Sequence, residues 1–146
     1  MHATREAWLS EAIEKLRPIF RNVGYPLPQS IKVEVKDKMA SGLIGLCSNR
    51  DGQYTIAVHS ELNQKSVIPV LIHEALHAAV GVREGHRGNF VKVGKRIGLW
   101  ANESQPKSQY GPMSFKLVEL VRMFDTMLGR YPDLTNPKGY GSLGAA

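Results

Sequence analysis

The broadest apolar stretch in the chain runs from Val67 to Val80. Val67, Ile68, Val70, Leu71, Ile72, Ala75, Leu76, Ala78, Ala79 and Val80 leave no polar face, which predicts a helix buried on all sides. Ser66 suits its cap, Pro69 is tolerated in a first turn, and Gly81 suits the position after the last turn. Elsewhere the apolar positions keep to one side. Over residues 4–23, Leu9, Ala12, Ile13, Leu16, Ile19, Phe20 and Val23 share a helical face. Thr4 is its candidate cap, Pro18 is expected to kink it, and Gly24 with Pro26 and Pro28 stops it.

A period of two follows. Ile31, Val33 and Val35 alternate with polar residues as a half-buried strand does. Leu43–Cys47 reads as a second strand, weakened by Gly42 and Gly45. Asp51-Gly52 is a hairpin signal, and Gln53–His59 is the third strand. If that third strand is a sheet edge, it offers a place for an extended peptide to add. Helical spacing returns from Asn89 to Trp100 through Phe90, Val93, Ile97 and Trp100, and again from Met113 to Leu128. Between them lies a polar loop, 101–112, and after them a Gly- and Pro-rich stretch with few apolar residues. The pattern predicts an α+β fold over residues 1–128, a three-stranded antiparallel sheet packed on helices, followed by an irregular tail at 129–146.

The polar exceptions in the buried helix carry the chemistry. His73-Glu74-Ala75-Leu76-His77 matches H-E-x-x-H. Helical residues four apart lie about 40° apart around the axis and about 6 Å apart along it, so both imidazoles can reach one metal ion. Buried His and Glu side chains are costly unless paired or bound to metal. Catalytic zinc takes three protein ligands and keeps a fourth position for water. One large class of zinc peptidases places its third His six residues beyond the motif, after a Gly, but those positions here are Arg83 and Val80. The next candidates are Glu84 and His86, of which His86, flanked by Gly85 and Gly88, is favoured.

The H-E-x-x-H helix, the following Arg83-Glu84-Gly85-His86 and the Phe90 four residues on resemble the SprT-like metallopeptidases. That family includes Spartan, the protease that removes proteins crosslinked to DNA. The resemblance covers residues 4–100 and is nearest to the short forms of bacteria and phages. It implies a small zincin-type domain with zinc between the H-E-x-x-H helix and the next helix. His73, His77 and His86 would be the zinc ligands, Glu74 the catalytic base, and a protein or peptide the substrate. Two departures stand out. Arg87 precedes Gly88 where the family has Gly directly after the third His, and one cysteine cannot build the four-cysteine zinc ribbon that many members carry.

Composition adds a little. The net charge is +6, and between Arg83 and Arg96 five basic residues face one acidic residue. Arg87, Lys92, Lys95 and Arg96 are therefore candidate contacts to nucleic acid, DNA on the family resemblance, through its phosphates. Tyr110 is a candidate oxyanion donor or lid residue in the polar loop. His59, at a strand end, is expected to face solvent or cap a turn. No apolar run approaches the roughly 20 residues of a membrane helix. Single Cys47 and an N-terminus without a secretory pattern suit the cytoplasm of a bacterial cell or phage host. A monomer is expected. Two rival readings are a non-catalytic, zinc-stabilised nucleic-acid-binding or regulatory protein and a zinc hydrolase of non-peptide substrates.

Overall fold

In a computed structural model, residues 2–99 and 115–134 are described. They form helix α1 (Arg5–Asn22), strands β1 (Ile31–Lys36), β2 (Gly45–Arg50) and β3 (Gln53–His59), and helices α2 (Gln64–Val80), α3 (Asn89–Ile97) and α4 (Phe115–Leu128). A single 3-10 turn, Val82–Glu84, lies between α2 and α3. The α+β class and the number of strands agree with the sequence, although the second strand is Gly45–Arg50 and not Leu43–Cys47. The sheet's topology does not agree.

The sheet is mixed, in the order β1-β3-β2. β3 pairs antiparallel with β2 but parallel with β1, in register Val33 to Ile56 and Val35 to Val58. The reason lies in the connections. Asp51 and Gly52 take φ of 52° and 88°, a tight turn that ties β2 to β3. Residues 37–44 are long enough to step across two strand spacings, about 10 Å. β3 therefore lies between its predecessors and is not an edge. This placement gives the most apolar strand two partners: Ile56, Ala57 and Val58 are all buried.

One face of the sheet receives the helices. Val33, Ile56 and Val58 join α1 through Trp8, Leu9, Ile13, Leu16 and Phe20, and α2 through Ile68, Leu71 and Ile72. α2 is buried almost all round, as its composition requires. It begins three residues earlier than Ser66 alone would place it. Asn63 is the cap, its Oδ1 accepting from the Ser66 amide at 3.0 Å while the Ser66 hydroxyl accepts from the Asn63 amide at 3.0 Å. Pro69 consequently lies in the second turn, where its missing N–H leaves the Lys65 carbonyl without its helical donor. α1 follows expectation more closely: Thr4 Oγ1 accepts from the Ala7 amide, and the helix continues through Pro18.

The core reaches past α4. Tyr131 is buried, packs edge-on against Trp8 at 5.0 Å, and lies beneath the Arg5 guanidinium. Trp8 Nε1 donates to the Gly129 carbonyl, and the Tyr131 amide donates to Gln64 Oε1. Burial raises the Tyr131 phenol to about 12, against the opposing pull of Arg5. Among the described residues, no helix is long and apolar enough to cross a membrane.

Candidate metal centre

His73 and His77 lie one turn apart on α2, on the side that meets α3. His86 comes from the segment between the 3-10 turn and α3. Its Nε2 lies 3.2 Å from Nε2 of His73 and 3.1 Å from Nε2 of His77. Two nitrogens bound to one zinc ion at about 2.05 Å with tetrahedral angles lie about 3.3 Å apart. His86 thus already has, to each of the other two imidazoles, the spacing that a shared ion imposes, and the three ligand atoms all fall within 4.8 Å of one another.

Phe90 holds the arrangement from the α3 side. Its ring centroid is 5.1 Å from that of His73, 4.4 Å from His77 and 5.0 Å from His86, and the residue is fully buried. The Phe90 ring is an apolar wall against all three imidazoles, whose Nε2 atoms meet at His86. Gly81 ends α2 with φ of 96°, its amide donating to the His77 carbonyl at 2.9 Å, and the chain turns back toward the site.

The protonation states suit a cation. Burial, aided by repulsion from His86, lowers His77 to about 4, and burial lowers His86 below its ordinary range. Both rings are therefore neutral at pH 7, which is the form that ligates metal. Three imidazole donors suit zinc and also copper, nickel and iron, so the donor set selects the class of ion and not its identity.

Of the residues singled out from sequence, His73, His77 and His86 come together. Glu84 does not join them, because its Oε1 accepts from the Asn89 amide at 2.6 Å. His59 is likewise engaged elsewhere, its Nδ1 accepting from the Glu61 amide. Glu74 adjoins the cluster, 3% exposed, with its carboxylate toward β2. Arg87 is exposed beside the site. Lys92, Lys95 and Arg96 line an open groove of about 590 Å³ with Tyr25, Asn89 and Val93, and Arg96 donates to the Val23 carbonyl at 3.1 Å. Tyr110 and Trp100 lie outside the described residues, as does the loop at 101–112.

Searches against protein-family models, curated proteins and solved structures return no match. The site must be read from its own chemistry.

Two residues near the site escaped the sequence reading. Gly45 and Cys47 alternate on the face of β2 that meets α2. Burial pushes the Cys47 thiol up to about 12, and the Glu74 carboxylate adds to the shift. A Cβ on Gly45 would lie 2.6 Å from Cγ1 of Val70 and 2.8 Å from Oε2 of Glu74. Glycine inside a strand often marks such a close approach, and that was the signal available.

Proposed function

We propose that this chain is a zinc-dependent metallopeptidase of SprT-like type. The observation that carries the reading is the convergence of His73, His77 and His86, with Glu74 following His73 on the same helix. A cluster serving only to stabilise the fold needs no acid or base next to it. A zinc ion held by the three imidazoles would polarise a carbonyl and make hydroxide available near neutral pH, lowering the pKa of its water from 15.7 to about 7.

The chain's own residues supply the rest. Glu74 follows His73 directly on α2, so its carboxylate is carried by the same rigid helix as two ligands. It takes the proton of the attacking water and returns it to the leaving nitrogen. Phe90 and the apolar residues of α2 shield one side of the site from water, which strengthens each charge interaction within it. The strand beside Glu74 is β2, which pairs with β3 alone among the described residues. An extended peptide adding to its outer side would run past the carboxylate.

The finer reading is that the substrates are proteins bound to DNA. Lys92, Lys95 and Arg96 line one groove near the site's α3, and five basic residues between Arg83 and Arg96 favour phosphate contacts. The test is cleavage of a basic DNA-binding protein such as a histone, with and without single-stranded DNA, with Glu74→Gln as the control. Cleavage that needs DNA, falls with added salt and vanishes in the control supports the full reading. Cleavage indifferent to DNA keeps the peptidase and removes the DNA part. No cleavage by zinc-loaded protein in either arm overturns the peptidase and favours a zinc-stabilised regulatory or binding protein.

A further inference from the structure

The third histidine has a weaker hold on the site than the other two. His73 and His77 are carried by a buried helix, but His86 stands on a short segment between two glycines of positive φ, Gly85 at 65° and Gly88 at 56°. Such glycines permit the turn and also leave the unfolded segment many alternatives. Something must select the one conformation that aims His86 at the other two rings.

The Glu84 carboxylate does this. Its Oε1 accepts from the Asn89 amide at 2.6 Å, joining the residue two before His86 to the residue three after it. The Glu84 amide in turn donates to the Gly81 carbonyl at 3.1 Å, so the same residue is tied to the end of α2. On the far side, the Phe90 amide donates to the Arg87 carbonyl and the Lys92 amide to the Gly88 carbonyl, starting α3. The cap of α3, Gly88, has no side chain to offer, and Glu84 supplies the anionic acceptor that a helix start favours. Gly88 is fitted to the same device: a side chain is strained at its φ of 56°, and a Cβ there would meet Glu84 Oε1.

We infer that Glu84 is a positioning residue for the metal centre, a latch that closes the 84–89 segment and sets the third ligand, His86. The inference rests on the three-histidine cluster being a metal site, but not on the reaction carried out there. Glu84 is excluded as a direct ligand by the same bond, since its carboxylate turns to Asn89 and lies outside the ligand cluster.

The test is titration of metal-stripped full chain with Co2+, whose visible absorption reports tetrahedral ligation. Glu84→Ala weakens Co2+ binding about 10- to 100-fold, the range typical of losing a group that orients a ligand. Glu84→Gln keeps an acceptor oxygen and recovers most of that loss. Thermal unfolding of the metal-stripped variants separates a latch from general destabilisation: Glu84→Gln should unfold close to the parent. Parent-like Co2+ affinity in Glu84→Ala overturns the latch. Absence of Co2+ binding by the parent chain is a separate result, which overturns the metal centre itself.

Discussion

Gly45 of β2 lies against the carboxylate of Glu74 so closely that a methyl group at position 45 would come within 2.8 Å of Oε2. The same methyl would lie 2.6 Å from Cγ1 of Val70, one helical turn before Glu74. The strand backbone thus forms one wall of the slot that holds the carboxylate, and only glycine leaves the slot open. Position, and not backbone conformation, is what demands glycine here, since Gly45 is not among the glycines of positive φ.

Gly45→Ala should therefore separate metal binding from turnover. Glu74 and Val70 are both buried and Val70 is β-branched, so the methyl must be accommodated by a shift of the Glu74 side chain, β2 or α2. Overpacking of this kind costs about 1–3 kcal/mol in stability. A displacement of about 1 Å at a reacting group costs about 100-fold in rate. Zinc affinity should stay within a few-fold of the parent, because the ligands are not touched. Parent-level turnover in this variant would show that the Glu74 rotamer is not set by β2.

Glu74→Gln tests the carboxylate directly. The amide is nearly the same size, so on the proposed peptidase reading the slot beside Gly45 should still hold it and zinc should be retained. Loss of proton transfer should then lower peptide hydrolysis by about 100- to 10,000-fold. Metal analysis alongside the rate assay distinguishes the lost base from a lost ion. Undiminished turnover would remove Glu74 from the mechanism.

His86→Ala should empty the site. The remaining pair on α2 can bind an ion, but without the third nitrogen, now 3.1–3.2 Å from the other two, the tetrahedral set is broken. Zinc affinity should fall by more than the roughly 10- to 100-fold that loss of an orienting group costs. Chelator competition measures it, and an unchanged affinity would refute His86 as a ligand.

The helices, His73 and His77 were legible because they rest on local rules, and His86 was the favoured third histidine because glycines flank it. A spacing of four on a helix fixes where His73 and His77 lie, and alternation fixes the inward residues of β1 and β3. Sheet order was not local. Nothing in Ile31–Lys36 says whether its neighbour is β2 or β3, and the strand-skipping step at 37–44 leaves no periodicity to read. Glu84 and Gly45 were hidden for a related reason. Each is explained by a residue from another element, Asn89 or Glu74, and only the folded chain brings them together. Tyr131 shows the same limit: in a Gly- and Pro-rich stretch it has no periodic neighbours, yet it fills space beside Trp8.

Tyr131→Ala should destabilise the fold without touching the metal. The ring is buried against Trp8 and Arg5, and large-to-small changes of buried aromatics cost about 3–5 kcal/mol. Urea denaturation of the metal-stripped protein measures the loss, and zinc affinity serves as the control. A cost below about 1 kcal/mol would mean that residues 129–134 are not part of the cooperative unit.

Acid should act on the metal-stripped protein through His77. The ring titrates at about 4 in the folded chain and near 6.5 when unfolded, because burial first, and His86 second, disfavour its charged form. Above pH 6.5 both states hold it neutral and its contribution is constant. Between 6.5 and 4 the unfolded chain binds a proton that the folded chain refuses, so stability falls as the pH falls. Below 4 both states are protonated and the loss levels off. Carboxylates titrate in the lower part of this window, so the comparison needs His77→Gln, whose stability should decline less between pH 6.5 and 4. Ring-proton NMR of the stripped protein provides the direct reading. A His77 midpoint at or above 6.5 would show that the imidazole is not held neutral by its surroundings and that the site is not preset in its ligating form.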